Sequence, residues 1–458
     1  MLTHRPFRFY LMLMLSDVIA ALATPPGRSA LALLRVSGRG CFDVVRRVIP
    51  EFVAEPARVA RLARAVNTGG EPIDDVLYTA FQAPASYTGE DVVEISTHGG
   101  LLNPAEVLAA LFVAGAREAA PGEFTRRAMQ HGKMDLLQAE ATADLIDATA
   151  PAQRRQALAQ LDRGLTARIG ALRDAVLGLE ALVSYDIDFP EEDSGPVPPE
   201  RIAGASADVR DSLARLLATA GEGERLREGA LAVIAGVPNA GKSALFNALL
   251  GAERAIVTEI PGTTRDAIEA PAVLGGFPFR LVDTAGLRES TDRVERLGIE
   301  LSRRYLGAAD AVIFCAEAGR ALTDEERAFL GEARVPVVVV RTKCDLTPGD
   351  ASGDREIATS AESGVGIAEL RDELARIAFA TLSHGDPAPV LTRERHRAAL
   401  GRALEEMDQF AAARDAGIEG AVAATHLRAA VLALEDVIGL ITTDDVLDRL
   451  FSSFCVGK

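Results

Sequence analysis

The stretch LAVIAGVPNAGKSALFNALL, at positions 231–250, decides the fold of this chain. Gly236 to Ser243 match the pattern GxxxxGK[ST], after the apolar run of a buried strand and before a helical pattern. In such a loop the backbone N–H groups surround phosphate oxygens, the lysine reaches the β- and γ-phosphates, and the serine hydroxyl binds Mg²⁺. The alternative, a tight turn with a chance lysine, is disfavoured by the strand and helix on either side. The stretch therefore predicts a phosphate-binding loop.

The sequence around this loop predicts a doubly wound α/β domain. The apolar runs LAVIAG, FRLVDT, AVIFCA and VPVVVV alternate with helical segments over residues 230–382. Continuous apolar runs of this length are typical of parallel strands, which are covered by helices on both faces. We therefore expect a P-loop nucleotide-binding domain over 230–382.

Three further motifs follow in the order that a GTPase requires. IPGTTRD (260–266) offers a switch hydroxyl to Mg²⁺ and the γ-phosphate, and DTAG (283–286) ends a strand with a carboxylate near the metal. In TKCD (342–345), Asp345 can accept two hydrogen bonds from guanine, which selects GTP over ATP. Thr342 stands where Asn is common and offers only a hydroxyl, so we expect weaker affinity rather than altered base identity.

The motifs together give a set of candidate GTP-binding residues, in which Ser243 and Thr264 are the candidate Mg²⁺ ligands and TSA (359–361) is the last guanine-contacting loop. The set is Asn239, Ala240, Gly241, Lys242, Ser243, Ala244, Thr258, Glu259, Ile260, Pro261, Gly262, Thr263, Thr264, Asp283, Thr284, Ala285, Gly286, Thr342, Lys343, Asp345, Ser360 and Ala361.

The position after the DTAG glycine bears on the hydrolysis mechanism. Ras-like proteins have a Gln there that orients the attacking water, whereas this chain has Leu287, which cannot form hydrogen bonds with its side chain. Another group must position the water. The residues leave three candidates open, Glu289, Asp292 and Glu295.

Helical sequence flanks the α/β stretch on both sides. Residues 134–229 form long Ala/Leu/Arg/Glu segments with helical spacing, broken by the prolines of DSGPVPPE, and helix returns within 383–458. We expect the α/β module to be inserted into this one discontinuous helical domain. Residues 16–133 mix β-branched runs with two helical patterns, which predicts an N-terminal α+β domain. The fold class is therefore multidomain.

The composition excludes several classes of protein. Lys and Arg number 49 against 66 Asp and Glu, a net charge of −17, so a global basic footprint for nucleic acid is absent. Hydrophobic residues at 48% and charged residues at 25% are typical of globular proteins rather than multi-span membrane proteins. The four cysteines lie far apart without a CxxC pair, which favours a reducing compartment. We expect a cytoplasmic protein without a membrane partner.

The beginning of the chain, MLTHRPFRFYLMLML, is similar to a signal peptide. Ser16 and Asp17 interrupt the apolar run, and the sequence continues directly into strand-like segments. We therefore predict that residues 1–15 are an extension outside the fold and that Met14 is the natural start.

Residues 16–458 resemble a known family. The resemblance lies in ATPPGR (23–28), SYTGEDVVEISTHGG (86–100), PGEFTRRAMQHGKMDLLQAEATADLIDA (121–148) and the terminal DDVLDRLFSSFCVGK, together with the central GTPase motifs. They are similar to the MnmE, or TrmE, family of tRNA uridine-modification GTPases. The family implies a folate-binding and dimerising N-terminal domain, a helical domain, and an inserted GTPase domain.

The resemblance also implies an activity and partners. A homodimer would form a heterotetramer with a flavin-dependent partner and add a carboxymethylaminomethyl-type group at C5 of the wobble uridine, U34, of tRNA. The implied carbon source is 5,10-methylenetetrahydrofolate or a related tetrahydrofolate. By position, the folate would contact Arg35, Glu94, Lys133 and Lys458.

In this family K⁺ near the phosphates pairs two GTPase domains and speeds hydrolysis. By position its ligands would be Asn239, Thr258, Ile260 and Thr263, and Glu295 would be the catalytic, water-positioning group. Cys455 is a candidate thiol by the same resemblance; a half-buried cysteine after the apolar FSSF is the alternative that we favour.

Two alternative functions remain open at this point. One is a ribosome-assembly GTPase switch, which would require an RNA-binding module; no GXXG loop of a KH domain is apparent in the sequence. The other is a folate-binding protein with a regulatory GTPase domain. Arg126-Arg127 and the basic cluster 393–397 are candidate RNA contacts, although charged helix faces are usually only solvated.

Overall fold

The computed structural model describes residues 17–188, 197–251, 269–283, 305–347, 356–383, 390–440, 444–452 and 454–457. The predicted extension, 1–15, lies outside these ranges. The chain packs as two compact units, Met1–Ala143 with Gly439–Lys458, and Asp144–Ile438. Within the described ranges, no helix has the length and apolar character needed to span a membrane.

The first unit contains a six-stranded sheet in the order β3-β4-β5-β2-β1-β6. Neighbouring strands are antiparallel except for the parallel pair β1 and β6. The register pairs Arg35 with Glu94. The strands are β1 (Ile19–Leu22), β2 (Gly27–Ser37), β3 (Arg61–Val66), β4 (Pro72–Phe81), β5 (Val92–Gly100) and β6 (Arg117–Glu118).

Two helices, α1 (Cys41–Val48) and α2 (Leu102–Val113), cover one face of this sheet. Val45 and Leu111 pack there with inward strand residues such as Leu34 and Ile95. Because side chains alternate along a strand, the residues between these inward ones point to the opposite face of the sheet. That face exposes Leu31, Leu62 and Leu77. The helices α3 (Glu123–Gln130) and α4 (Leu136–Asp147) follow.

The second unit begins with four helices. α5 and α7 each begin with a proline, at a helix position where the missing N–H costs no hydrogen bond. Along α6, the buried Leu172, Val176, Leu179 and Val183 recur at spacings of three and four, which is the helical period. The helices are α5 (Pro151–Leu161), α6 (Gly164–Asp188), α7 (Pro199–Leu217) and α8 (Ala220–Glu228).

A second six-stranded sheet follows, in the order β12-β11-β10-β7-β9-β8. Its strand pairs are parallel except β8 with β9, which a two-residue turn at Gly275 and Gly276 connects, both at positive φ. The elements are β7 (Ala230–Gly236), α9 (Lys242–Gly251), β8 (Glu269–Leu274), β9 (Phe277–Asp283), β10 (Ala311–Glu317), α10 (Asp324–Glu332), β11 (Val337–Thr342), β12 (Glu356–Ala358) and α11 (Ile367–Ala378).

The chain then returns to helix with α12 (Glu394–Asp415) and α13 (Gly420–Ile438). These two pack with α6 and α7 as a ring of four helices, in which each helix contacts two others. Two members of the ring therefore precede the second sheet in sequence and two follow it. The last helix, α14 (Asp444–Ser452), belongs to the first unit, where Phe451 and Phe454 pack against Ala139.

Candidate functional site

The loop after β7 turns through three residues with positive φ, Gly236, Asn239 and Gly241. Gly236 has φ 139°, and a Cβ there would lie only 2.4 Å from the carbonyl oxygen of Cys315, so a side chain cannot fit. Asn239 (φ 63°) and Gly241 (φ 79°) are left-handed, a conformation that asparagine tolerates better than most residues. Asn239 is exposed at the tip of the loop.

The two charged or polar side chains that begin α9 point back to the loop and to β9. The Lys242 ammonium donates to the carbonyl oxygens of Gly236 at 3.1 Å and Val237 at 2.8 Å. The Ser243 hydroxyl donates to Oδ2 of Asp283 at 2.7 Å. A hydroxyl and a carboxylate that meet at the start of a helix are oxygen donors of the kind that Mg²⁺ takes, so these residues fit the predicted metal site.

The predicted base-reading residues lie at the same edge of the sheet, beyond the carboxyl end of β11. A cleft of about 260 Å³ is lined there by Gly241, Thr342, Asp345 and Ala361 among others. Asp345 is exposed, and the N–H of Cys344 donates to the carbonyl of Thr359 at 3.2 Å, which joins the two predicted guanine loops. In an open α/β sheet, ligands bind at this edge.

The structure thus brings the P-loop, Asp283, TKCD and TSA together within one unit. The other predicted residues of this site lie outside the described ranges. They are Thr258, Glu259, Ile260, Pro261, Gly262, Thr263, Thr264, Thr284, Ala285, Gly286 and the catalytic candidate Glu295.

A second set of predicted residues meets in the first unit. Both Nε and Nη2 of Arg35 donate to the same oxygen of Glu94, Oε1, at 3.1 and 2.7 Å. The guanidinium carbon of Arg35 lies 5.3 Å from the ring centre of Tyr87 and 5.7 Å from that of Phe124, within cation–π range. Arg35 also donates from Nη1 to the carbonyl of Gly457 at 3.1 Å, so the end of the chain reaches this site.

The remaining members of that set are partly described. Lys133 is exposed and donates to the carbonyl of Pro84 at 2.9 Å. The side chain of Lys133 also lies against the loop that carries Tyr87. Its Cγ is 3.4 Å from the position that a Cβ on Gly89 would occupy. Lys458 lies outside the described residues. Cys455 is exposed, so the prediction of a half-buried cysteine was wrong.

Sequence reasoning missed an ion-pair network that supports this second set. Arg127, whose side chain is 0% exposed, pairs with Asp17 at 2.8 Å, Glu123 at 2.9 Å and Glu90 at 3.2 Å. It therefore joins the loop that carries Tyr87 to the helix that carries Phe124. The spacing Glu123-Arg127, one helical turn, was the available signal.

The contacts of the arginines that were named as candidate RNA contacts are with other parts of the chain. Arg127 is buried and cannot reach RNA, and Arg126 pairs with Asp448 at 2.8 Å. In the second cluster, Arg393 pairs with Asp144 at 2.6 Å and Arg395 donates to the carbonyl of Val437 at 3.1 Å. These arginines have internal partners in each case.

Comparisons with known proteins match nearly the whole chain. The family model for the MnmE helical domain matches residues 136–455, and the model for the N-terminus of the GTP-binding protein TrmE matches residues 18–133. The chain belongs to the MnmE family of tRNA modification GTPases. The MnmE of Moorella thermoacetica is 41% identical over 467 residues, covering 97% of this chain and 100% of that relative. The MnmE of Methylorubrum populi is 44% identical over 448 residues, covering 96% and 98%.

Solved structures are also similar to part of this MnmE-family chain. The G domain of the T. maritima FeoB iron transporter is 27% identical, with a TM-score of 0.24, covering 32% of this chain and 98% of that one. Aquifex aeolicus Era bound to GDP·AlF₄⁻ is 24% identical, with a TM-score of 0.26, covering 39% and 67%.

Proposed function

We propose that this MnmE-family GTPase binds GTP and Mg²⁺ between its P-loop and its TKCD and TSA loops, and uses hydrolysis to drive tRNA modification. The observation that carries the proposal is the convergence of Lys242, Ser243, Asp283 and Asp345 at one edge of one sheet. The lysine ammonium suits the β- and γ-phosphates, the Ser243 and Asp283 oxygens suit the metal, and the Asp345 carboxylate suits the guanine edge.

The proposed hydrolysis requires K⁺ and pairing of two GTPase domains. Asn239 supports this step because it is exposed at the tip of the loop, where its amide oxygen can reach a cation next to the phosphates. Thr258, Ile260 and Thr263 are the other proposed ligands. Glu295 is the proposed water-positioning group, since Leu287 offers no hydrogen bond there.

The proposed tetrahydrofolate site lies at Arg35 and Glu94. Among the described residues, only Oε1 of Glu94 accepts from Arg35, so Oε2 remains able to accept from the amino and ring N–H groups of a pterin. Lys133 and Lys458 are the proposed cationic contacts. A bound 5,10-methylenetetrahydrofolate would supply the one-carbon unit, and Arg35 and Glu94 would hold and orient its ring system.

We propose further that the protein is a cytoplasmic homodimer whose N-terminal domain, 16–133, forms the contact. The exposed sheet face supports this. Leu62 and Leu77 are cross-strand neighbours on it and Leu31 lies on the same face, and a group of exposed large apolar side chains on one face is typical of protein interfaces. The ring of α6, α7, α12 and α13 supports the proposed insertion of the GTPase domain, 230–382, between helical parts 134–229 and 383–458.

The proposed product is a carboxymethylaminomethyl-type group at C5 of U34, made with a flavin-dependent partner. The test is the content of modified wobble uridine in tRNA from a strain that lacks the gene, complemented with wild type, Lys242→Ala or Arg35→Ala. We expect the modification to be lost in the deletion strain and restored by wild type alone. Normal tRNA modification in the deletion strain, with defective ribosome assembly, would instead support the alternative GTPase switch.

A further inference from the structure

The helical ring carries an exposed apolar patch at the end where α6 and α12 end and α13 begins. Ile187, Ile418 and Val422 are 42%, 45% and 53% exposed. A Cβ on Gly420 would lie 3.0 Å from Cγ1 of Ile187, so Ile187 packs on the backbone between the other two. We propose that this patch, with the cleft beside it, is the docking surface for a basic protein partner. The inference rests on the proposed function, in which the flavin-dependent protein is that partner.

The loop between α12 and α13 presents its part of the patch on a fixed backbone. Gly417 has φ 70°, and its N–H donates to the carbonyl of Arg414, while the N–H of Ile418 donates to that of Ala413, both at 3.0 Å. These are the two hydrogen bonds of a Schellman motif, which ends a helix at a left-handed glycine. A surface that is already formed loses little conformational freedom when a partner binds to it.

A cleft of about 280 Å³ between α7 and α12 adjoins the patch. Arg414 lines this cleft, and its Nη1 is 3.8 Å from the position that a Cβ on Gly420 would occupy, so the cleft and the patch are continuous. Its lining includes the buried side chains of Ile202 and Phe410. Ser206 also lines the cleft and is 4% exposed, and among the described residues its hydroxyl has no hydrogen-bond partner. Such a hydroxyl can bond a polar group that a ligand inserts.

The charges around the patch favour a cationic partner. Arg210 and Arg414, which line the cleft, each pair with an aspartate of the helical ring. Asp415 and Glu419 are exposed, and within the described ranges neither carboxylate has a side-chain partner. The surface therefore keeps a negative charge, which repels phosphate groups and attracts the lysine or arginine side chains of a protein.

The charge of the whole chain distinguishes between the occupants. The net charge is −17, so a second copy would bring further negative charge to an acidic surface. A protein that holds tRNA together with this chain must supply the positive charge that this chain lacks. The flavin-dependent partner therefore fits, with apolar side chains on the patch and cationic side chains at Asp415 and Glu419.

The experiment measures the dissociation constant between the full-length protein and the purified flavin-dependent partner at low and high salt. Val422→Asp places a charge in the patch, and its control is Leu432→Asp, at a leucine of α13 that is 48% exposed. Asp415→Lys combined with Glu419→Lys reverses the charge beside the patch, and its control is Glu405→Lys on the exposed side of α12. Binding of tRNA alone, self-association, GTP turnover without the partner and the midpoint of thermal unfolding are recorded for each variant, so that misfolding is recognised.

We expect Val422→Asp and the double charge reversal to weaken partner binding about tenfold or more, and both controls to bind within about twofold of the wild type. High salt should weaken the wild-type complex more than the charge-reversed one. Wild-type affinity in both patch variants would overturn the docking surface. Loss of tRNA binding or of self-association in Val422→Asp, with partner binding intact, would assign the patch to that other occupant and overturn it as well. A wild-type protein that does not bind the partner would instead overturn the partnership in the proposed function, and the surface with it.

Discussion

Asp345 is the residue on which the choice of base depends in the proposed nucleotide site. Its carboxylate would accept from two donors of guanine, and an amide in its place offers a donor where guanine also has one. We expect Asp345→Asn to weaken GTP binding by about one to two orders of magnitude and to bind xanthosine triphosphate better than GTP. Competition binding with GTP, XTP and ATP measures this. Equal affinity of the wild type for ATP and GTP would contradict the assignment of the base-reading loop.

Glu295 is the proposed water-positioning group, so its replacement tests the rate of hydrolysis rather than the choice of base. Leu287 cannot orient water, and Glu295 lies outside the phosphate loop, so its loss should leave the contacts of Lys242 and Ser243 intact. We expect Glu295→Ala to keep GTP binding and to slow turnover by roughly 10²–10⁴-fold, the usual effect of a group that positions or deprotonates water. Turnover is measured at saturating GTP and K⁺.

The matched controls are Glu289→Ala and Asp292→Ala, which remove acidic side chains from the same stretch. Both should turn over GTP at nearly the wild-type rate. A Glu295→Ala protein with normal turnover beside a slow Glu289→Ala protein would show that the family resemblance selected the wrong carboxylate.

At the scale of elements, α3 is held to β1 and to the loop 86–91 by charge. Burial raises the pKa of Glu123, but hydrogen bonds from Arg117, the Ala120 N–H and Arg127 outweigh it and lower the pKa to about 2. The side chain is 9% exposed, so solvent screens these bonds little. The ion pairs therefore contribute to the stability of the first unit while Glu123 is ionised.

The sign of the pH dependence follows from this lowered pKa. Stability from Glu123 is fully present above its ordinary pKa of 4.5 and is lost as the pH falls from there toward about 2. We expect Glu123→Gln to lower the midpoint of thermal unfolding at pH 6 and to flatten its decline between pH 4.5 and 3. Thermal scans of wild type and Glu123→Gln measure it, with the exposed Glu118→Gln as control. Parallel pH profiles for wild type and Glu123→Gln would contradict the role of this network.

The elements that sequence predicts well are those with a strong local signal. The P-loop follows from its glycines and from the strand and helix beside it. The helical sequence predicted on both sides of the proline-rich stretch 193–200 is confirmed by α6, which ends at Asp188, and α7, which begins at Pro199. β3 (Arg61–Val66) was not predicted, because RLARAV has only Ala63 and Ala65 on its buried face; its partner β4 begins six positions after β3 ends. Its apolar pattern is too weak to indicate a strand without its partner.

Side-chain partners between distant elements could not be predicted at all. In the sequence, Arg127 has the pattern of a solvated helix residue. Its burial depends on the carboxylates of Asp17 and Glu90, which are 110 and 37 residues away. The sequence suggested that Thr342 would be a weakened contact to the base. Its hydrogen bond to the carbonyl of Ala240 joins residues that are 102 positions apart. Such contacts depend on the assembled sheet, and a single sequence holds no local signal for them.

At the scale of the whole chain, the order of the helices connects the nucleotide site to the helical ring. The second sheet lies in sequence between α7 and α12, and Glu222 in α8 accepts from the N–H of Thr381 at 3.0 Å, just after α11. The two connections of the sheet to the ring are therefore bonded to each other. In the proposed mechanism, a GTPase domain held at both ends would transmit the pairing of two such domains to the helices that hold it.

That pairing step predicts a dependence on the monovalent cation. We expect K⁺ to raise GTP turnover about 10²-fold over Na⁺ at equal ionic strength, the effect of one well-placed group that stabilises developing charge. Turnover per molecule should also rise with protein concentration in K⁺ but not in Na⁺, because two domains must meet. Asn239→Gly is the control: glycine keeps the left-handed backbone at φ 63° and removes the amide oxygen, so the stimulation by K⁺ should disappear while the rate in Na⁺ stays. Equal wild-type rates in the two salts would contradict the cation site.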